Sequence, residues 1–214
     1  MASLTHAVLI ADVVGSRSRR NVRELLSARL TAASRRHLRR RWIRLPYSVT
    51  AGDEFQTVTG PLRSLPELLL DLRVALRPLN LRIGIGLGGI TGPLRPPVNR
   101  LDGEAFHNAR RAIDSIKRGR RHRFETVTAF ESRHERFDRT INLIYGLQDT
   151  LLLKITPKQW DAIKSFLRHP TLERSAKRLR LAESTVSRNL KRGYYWQLTE
   201  TVNVAGPLIE SAFR

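Results

Sequence analysis

Residues 8–17, VLIADVVGSR, and residues 49–56, VTAGDEFQ, decide the fold that we predict for this chain. The first stretch is a continuous apolar run that ends at Asp12, which is typical of a central strand covered on both faces. The second stretch places a tight centre at residues 51–54 between alternating apolar side chains, which indicates a hairpin. Residues 21–41 carry leucines and valine at helical spacing, so a helix is predicted between the strand and the hairpin.

The chain beyond the hairpin continues with a helix, a strand, a helix and a strand. A leucine-rich helix is predicted over residues 64–78, a strand over 81–88, a helix over 103–118 and a strand over 124–130. The first six of these elements have the order βαββαβ, the split-βαβ plan, and the last helix and strand follow it. We therefore predict an α+β, ferredoxin-like unit over residues 1–150.

Residues 151–214 are predicted to form a second, all-α unit. Thr156 and Pro157 are a helix N-cap and first helical position, and two short helices follow over residues 173–179 and 183–192. The short helix, turn and short helix are typical of a helix-turn-helix. Because no low-complexity linker precedes this unit, we expect it to pack against the first or to join it through a stiff helix.

The third helix of the tail presents a short polar and basic face when its apolar residues point inward. Arginine and asparagine pair with the edges of guanine and adenine, and lysine and arginine contact phosphates. The predicted DNA-binding residues are Ser184, Thr185, Ser187, Arg188, Asn189, Lys191 and Arg192. A helical bundle used for dimerisation is the competing interpretation, although dimer faces usually carry apolar anchors.

The composition restricts the classes of partner. The 39 Lys and Arg residues outnumber the 19 Asp and Glu residues and give a formal charge of +20, which attracts polyanions and makes DNA the first partner to consider. No stretch approaches the roughly 20 apolar residues of a membrane-spanning helix, and no signal peptide is indicated, so we expect a cytoplasmic protein without membrane contact. The absence of cysteine excludes thiolate metal sites and disulfides, so that any metal must be held by oxygen.

Asp12, Asp53 and Glu54 are the candidate metal ligands. Asp12 ends the first predicted strand and the other two occupy the centre of the hairpin, and neighbouring strands would bring them to one edge of the sheet. Adjacent carboxylates repel one another unless a cation lies between them, and Mg²⁺ is commonly bound by one or two carboxylates and substrate phosphates. In the competing interpretation Asp12 caps the following turn and Asp53 only forms the hairpin turn.

The blocks VLIADVVGSR, VTAGDEFQ, LRIGIGLGGI (81–90) and DGEAFHNARRAI (102–113) resemble the SatD family over essentially the whole chain. More remotely they resemble the catalytic palm of class III nucleotide cyclases and of GGDEF-type diguanylate cyclases. This resemblance implies a palm domain that binds a nucleotide with Mg²⁺, or Mn²⁺, through Asp12 and Asp53.

The cyclase resemblance also implies roles for the helix at 103–118. Arg111 falls at the position of the arginine that stabilises phosphate charge, and His107 falls where cyclases carry an asparagine, which is a departure. Both would be catalytic if the palm is active. The candidate nucleotide- and phosphate-binding residues are Gly15, Ser16, Gly52, Asn108 and Arg110. Val49 replaces the adenine-reading lysine of one cyclase branch, so base recognition would be of another kind.

Gly84, Gly86 and Gly89 satisfy the G-x-G-x-x-G string of dinucleotide-binding proteins, but they lie in a predicted strand that leads into a proline-rich loop. A dinucleotide fold is therefore not expected. The glycines instead indicate close packing, or the approach of a phosphate to the backbone.

Three functions remain open from the sequence. The leading hypothesis is a homodimeric DNA-binding regulator whose palm binds a metal-nucleotide, since palm cyclases act in pairs and helix-turn-helix proteins read paired half-sites. The second is a Mg²⁺-dependent nucleotide cyclase or nucleotidyltransferase whose tail only localises it. The third is non-specific coating of nucleic acid by charge, which would weaken steeply with salt.

Overall fold

A computed structural model describes residues 5–16, 21–119 and 123–214 of the chain. Within these ranges five strands alternate with three helices, and five further helices follow. The elements are β1 (His6–Val13), α1 (Val22–Arg39), β2 (Ser48–Ala51), β3 (Glu54–Val58), α2 (Leu65–Leu76), β4 (Leu81–Gly88), α3 (Glu104–Lys117), β5 (Thr128–Glu131), α4 (Glu135–Leu152), α5 (Pro157–Arg168), α6 (Leu172–Leu179), α7 (Glu183–Arg192) and α8 (Tyr195–Ala212). We call β1 to α4 the sheet unit and α5 to α8 the tail.

The five strands form one sheet with the order β2-β3-β1-β4-β5. β1 lies at its centre and pairs antiparallel with β3 on one side and with β4 on the other. Ala11 thereby lies opposite Phe55 of β3 and Ile83 of β4. β5 adds to the far edge, parallel to β4. The α+β class predicted from the sequence is confirmed.

Helices cover the sheet on both faces. Leu9 and Ala11 belong to the core beneath α1 and α2, whereas Val8 and Ile10 belong to a second core beneath α3. Successive side chains of a strand point to opposite faces, so a strand buried on both faces must be apolar at every position. The unbroken apolar run of β1 follows from this position in the middle layer.

The last helix, α8, contributes to the hydrophobic core of the tail and to the core of the sheet unit beneath α1 and α2. Leu198 near its start packs in the tail core with Trp160 and Val186, and Ala205 and Ile209 near its end pack in the core of the sheet unit. The sheet unit and the tail are therefore packed together and are not loosely tethered, as the lack of a flexible linker in the sequence predicts.

β5 begins later than the sequence predicts, at Thr128 instead of Phe124. The buried carboxylate of Asp149 on α4 accepts hydrogen bonds from the backbone N–H groups of Val127 (2.8 Å) and Thr128 (2.7 Å). A side chain thus satisfies backbone donors at the start of this strand. Burial raises the pKa of Asp149 to about 6, against the opposing effects of the nearby Arg73 guanidinium and of these hydrogen bonds.

The glycines of β4 allow α3 to pack directly on the strand. A Cβ atom built on Gly86 would lie 2.1 Å from both the carbonyl oxygen of Ala105 and the backbone nitrogen of Ala109. A Cβ on Gly84 would lie 2.6 Å from the carbonyl oxygen of Ala109. These glycines therefore allow close packing, which is one of the two roles that the sequence indicates. Because α3 lies close to β4, its charged residues come near Asp12 at the end of β1.

We expect Gly86→Ala to lower the free energy of unfolding by about 3 kcal/mol, because the added methyl group meets backbone atoms that cannot move without displacing α3. Urea denaturation would measure the change. Gly92→Ala is the matched control: it has a φ of +81° and nothing within 4 Å of its Cβ, so only the backbone penalty of about 1 kcal/mol applies. Equal stabilities of the two variants would contradict the close-packing explanation.

Candidate functional site

The end of β1 and the turn of the β2–β3 hairpin meet at one edge of the sheet. Asp12 lies near the end of β1, and the pairing of Ala11 with Phe55 brings Asp53 and Glu54 alongside it. The backbone N–H of Val13 donates to Oδ2 of Asp53 over 3.3 Å. β1 and the hairpin turn therefore meet at this edge, as the sequence predicts, and the joint role of Asp12 and Asp53 as metal ligands stays a prediction. We call this region the acidic edge.

Asp12 is buried, with 6% of its surface exposed, and two cations approach it. The Lys117 Nζ atom lies 2.8 Å from Oδ2, and an Arg82 guanidinium nitrogen lies 3.5 Å from Oδ1. Oδ1 is nevertheless buried with no hydrogen-bond partner in the described part of the chain. A buried carboxylate oxygen without a hydrogen bond carries a desolvation cost that a ligand or cation would offset.

Glu54 is bound by two basic side chains of α3. Arg110 of α3 donates two hydrogen bonds to its carboxylate, at 2.8 and 2.7 Å, and the Lys117 Nζ atom lies 3.6 Å from Oε2. Burial alone would raise the pKa of Glu54, but the Arg110 hydrogen bonds and charge lower it. Both carboxylate oxygens of Glu54 are thus engaged by an arginine.

Asp53 opens onto a surface cleft of about 460 Å³. The cleft lies between the hairpin turn and the start of α1 and is lined by Ser16, Asn21, Val22, Arg23, Glu24, Gly52 and Asp53. Two predicted phosphate-binding residues, Ser16 and Gly52, therefore share a cavity with a predicted metal ligand. Gly15, also predicted, precedes Ser16 in the turn after β1 and has a φ of +69°, a conformation that glycine adopts without strain.

The predicted residues of α3 point in different directions. Arg110 reaches the acidic edge, whereas the Arg111 guanidinium contacts the side chain of Asn108 and lies 3.8 Å from Glu131. Buried Asn108 also donates to the carbonyl oxygen of Leu87 over 2.6 Å. His107 is exposed and lies 3.3 Å from Asp102. Consecutive residues of a helix are rotated by about 100°, so adjacent arginines cannot share one site.

Three cationic residues of this region were missed by the sequence analysis: Lys117, Arg82 and Arg23. A signal existed for Lys117, because it follows Arg110 by seven residues, which is two helical turns and the same face of α3. Arg82 follows only from the register of β4 against β1, where it lies opposite Asp12. That register cannot be obtained from composition or periodicity.

The donor atoms of the acidic edge are carboxylate oxygens, which are the ligands that Mg²⁺ prefers. Asp12 and Asp53 would be the ligands, and Oδ1 of Asp12, which has no hydrogen bond in the described part of the chain, is compatible with such a role. Glu54 fits less well because its oxygens bind Arg110. Among the residues that the structure describes, no three His, Asp or Glu side chains are grouped for a metal ion. A bound metal would therefore need ligands beyond the protein, such as phosphate oxygens.

The predicted DNA-binding residues all lie on α7. Val186 and Leu190 are buried in the tail core, as predicted, and the opposite face of α7 lies at the surface. Ser184, Arg188, Lys191 and Arg192 are exposed, and Thr185, Ser187 and Asn189 are partly exposed. The Arg188 guanidinium folds back onto its own helix and donates to the carbonyl oxygen of Ser184 over 3.2 Å.

The turn before α7 departs from the usual glycine. Arg180 occupies it with a φ of +55° and a ψ of +45°, the left-handed conformation. Glycine adopts this conformation without steric cost, whereas arginine pays for contacts of its Cβ atom. The backbone N–H of Leu181 donates to the carbonyl oxygen of Ala176 over 3.0 Å and closes the turn. The left-handed turn between α6 and α7 therefore forms even though arginine, and not glycine, occupies it.

The fold and site together define an α+β protein in which a helix-covered sheet with an acidic edge is joined to a basic helical tail. None of the described helices combines the length and apolar character needed to cross a bilayer. The chain belongs to the SatD family, whose model matches residues 6–194.

Comparison with solved structures finds remote similarities. One is a bacterial light-regulated adenylyl cyclase, with 13% identity, a TM-score of 0.36 and coverage of 59% of this chain and 43% of the other. Another is a regulator of polyketide synthase expression from Bifidobacterium adolescentis, with 16% identity, a TM-score of 0.29 and coverage of 98% and 87%. The chain spans less than half the length of the cyclase chain. No curated protein matches it.

We expect Arg110→Gln to raise the pKa of Glu54, because burial of the carboxylate would then be opposed only by weaker partners. Carboxyl-detected NMR titration would measure this pKa. A carboxyl group whose pKa is lower in the folded state stabilises the protein at pH values above the pKa of the same group in the unfolded state. This stabilisation is lost as the pH falls through the folded-state pKa. The stability difference between parent and variant should therefore be largest at neutral pH and shrink below about pH 4.

Arg111→Gln is the control for this experiment, since it removes the same charge one residue away without touching Glu54. It should leave the Glu54 pKa close to that of the parent. The assignment of Arg110 to the acidic edge is wrong if both variants move the pKa equally.

Proposed function

We propose that the chain is a DNA-binding transcriptional regulator of the SatD type, in which a ferredoxin-like palm binds a nucleotide together with magnesium. The observation that carries the proposal is the surface of α7, which presents short polar and basic side chains while Val186 and Leu190 anchor the helix in the tail core. We infer that α6 and α7 are a helix-turn-helix, with α7 as the recognition helix.

The charge of the tail supports contact with DNA. Lys191 and Arg192 at the end of α7 are exposed, and so are Lys177 and Arg178 at the end of α6. Side chains in these places would lie beside phosphates when α7 enters the major groove. The intrahelical contact of Arg188 leaves its side chain on the exposed face, where a guanine edge could replace the carbonyl oxygen of Ser184 as its partner.

A homodimer is part of the proposal because helix-turn-helix proteins read paired half-sites. Large apolar side chains remain exposed on two neighbouring helices, Leu143 (50%) and Leu147 (54%) on α4 and Trp196 (53%) and Val204 (53%) on α8. Exposed apolar side chains grouped in this way support association with a second copy of the chain.

The nucleotide part of the proposal rests on the acidic edge and its cleft. Asp12 and Asp53 would hold the cation, which when bound supplies positive charge to the phosphates of the nucleotide. Ser16, Gly52 and Arg23 line the cleft beside Asp53 and would contact the phosphates. Arg110 pairs with Glu54 and Lys117 pairs with Asp12, and these ion pairs hold the two carboxylates in place.

Selection from a pool of randomised DNA duplexes tests the regulator. We expect the parent chain to enrich two related half-sites, and Arg188→Ala to weaken binding to the enriched duplex by about 1–3 kcal/mol and to relax the preference at one base position. Lys191→Ala should weaken binding to all sequences about equally. Gel shifts at fixed salt would provide the affinities.

Arg139→Ala is the control for charge, because Arg139 is exposed on α4 and pairs with Glu135 four residues away on the same helix. Its DNA affinity should match that of the parent. Absence of any enriched sequence, with an affinity that collapses in salt for all variants alike, would identify non-specific coating instead.

Calorimetric titration of each nucleoside triphosphate in the presence of Mn²⁺ tests the palm. We expect binding of at least one nucleotide, weakened more than about 10-fold in Asp53→Asn and in Asp12→Asn because each removes a charged ligand. Glu135→Gln, at an exposed position of α4, is the control and should bind as the parent does.

Chromatography of the same mixtures distinguishes a sensor from an enzyme. Formation of a cyclic or linked nucleotide by the parent, but not by Asp12→Asn or Asp53→Asn, would show that the chain is a cyclase or nucleotidyltransferase and not a regulator. Because Asp53 is only partly buried, its variant remains folded even if the loss of buried Asp12 destabilises the sheet. Equal affinity of the parent and Asp53→Asn for every nucleotide would refute the metal-nucleotide site.

A further inference from the structure

A second cavity lies between the sheet unit and the tail, away from the acidic edge. It has a volume of about 370 Å³, within the range of small-molecule sites. α2 forms its floor, α1 and Trp42 form one wall, and α5 and α8 form the other. The lining residues are Arg36, Arg40, Trp42, Glu67, Leu70, Asp71, Val74, Ala75, Lys164, Leu167, Arg168, Thr199, Val202 and Asn203. We call it the interunit cleft.

The charges of the interunit cleft favour an anion. Four cationic side chains line it against two carboxylates. One of these carboxylates, Asp71, forms an ion pair with Arg36, and the Nε2 atom of His37 lies 2.8 Å from it. The tail contributes Lys164 and Arg168 at the end of α5. Burial, followed by the charges of Arg168 and other arginines, lowers the pKa of Lys164. The cleft therefore holds positive charge that its own acidic groups do not balance.

The remaining lining determines what else the ligand would carry. The Trp42 ring and the side chains of Leu70, Val74 and Leu167 provide apolar surface. The Arg40 guanidinium lies 4.7 Å from the centre of the Trp42 ring, so a cation and a flat ring adjoin at the wall. Oε2 of Glu67 is buried without a hydrogen-bond partner in the described part of the chain. An acceptor of this kind suits a ligand with a hydroxyl or amino group.

We propose that the interunit cleft is a binding site for a small organic phosphate or carboxylate that carries a ring. Lys164 and Arg168 bind the anionic group, Trp42 and Leu70 contact the ring, and Glu67 accepts a hydrogen bond from a donor on the ligand. A concave site of this size excludes a DNA duplex, whose phosphates would instead contact exposed basic residues. The site is independent of the nucleotide that we propose for the acidic edge.

The position of the cleft gives such a ligand access to the tail. Arg168 ends α5, and the chain then passes through His169 to α6, where the Ser175 hydroxyl donates to the carbonyl oxygen of His169 over 2.9 Å. A ligand held by α5 and α2 together would favour one arrangement of the tail on the sheet unit. This consequence rests on the proposed regulator function, whereas the binding site does not.

Isothermal titration of the full chain with phenyl phosphate, benzoate and inorganic phosphate tests the site. We expect phenyl phosphate or benzoate to bind, and inorganic phosphate to bind at least about 10-fold more weakly because it lacks the ring. The comparison of phenyl phosphate with benzoate identifies the preferred anionic group. The double variant Lys164→Gln/Arg168→Gln should weaken binding by at least about 10-fold, since two charged hydrogen-bond donors are lost.

Lys154→Gln/Lys158→Gln is the matched control, because it removes two exposed positive charges at and before the start of the same helix. It should bind the ring-bearing anion as tightly as the parent does. The proposal is overturned if the two double variants lose affinity equally, if inorganic phosphate binds as well as phenyl phosphate, or if no anion binds. The assay contains no DNA and no nucleotide, so its outcome is separate from that of the proposed function.

Discussion

The rest of the structure depends on β1, which is hydrogen-bonded along both edges and buried on both faces. A strand with neighbours on all four sides has no freedom to slip, since a shift of one residue would exchange the residues of its two cores. The register therefore fixes Asp12 opposite Arg82 and places Val13 beside Asp53. The acidic edge is a consequence of how the sheet is built around this strand.

Carboxylates at the end of a buried strand need compensation, and this basic chain supplies it from several elements. Lys117 and Arg110 project from one face of α3, Arg82 from β4 and Arg23 from the start of α1. Burial opposes the charged form of Glu54, but the hydrogen bonds and charge of Arg110 and the charge of Lys117 lower its pKa. The compensation is incomplete, because Oδ1 of Asp12 has no hydrogen bond in the described part of the chain. The unsatisfied oxygen supports our proposal that this site binds a metal-nucleotide.

The sequence predicted what depends on local pattern, and it missed what depends on register. The apolar run of β1, the hairpin turn at Gly52 and Asp53 and the tail helices α5 to α7 follow from periodicity and turn chemistry, and the structure contains them. The sequence analysis did not predict α8. The role of Asp149 could not be predicted, because its carboxylate binds backbone groups 21 and 22 residues earlier in the chain. Arg110 and Arg111 were indistinguishable in the sequence, and only the packing of α3 on Gly84 and Gly86 decides which of them faces Glu54.

The packing of α8 connects these local features to the whole molecule. Its first half anchors the tail core through Leu198, and its second half completes the core of the sheet unit through Ala205 and Ile209. A rotation of the tail would therefore expose apolar surface in both cores, and only a small displacement is energetically accessible. The interunit cleft lies where α8 passes from one core to the other, bounded by Thr199, Val202 and Asn203. A ligand there would act on a helix that packs in both units, so even a modest binding energy could bias how the tail is held.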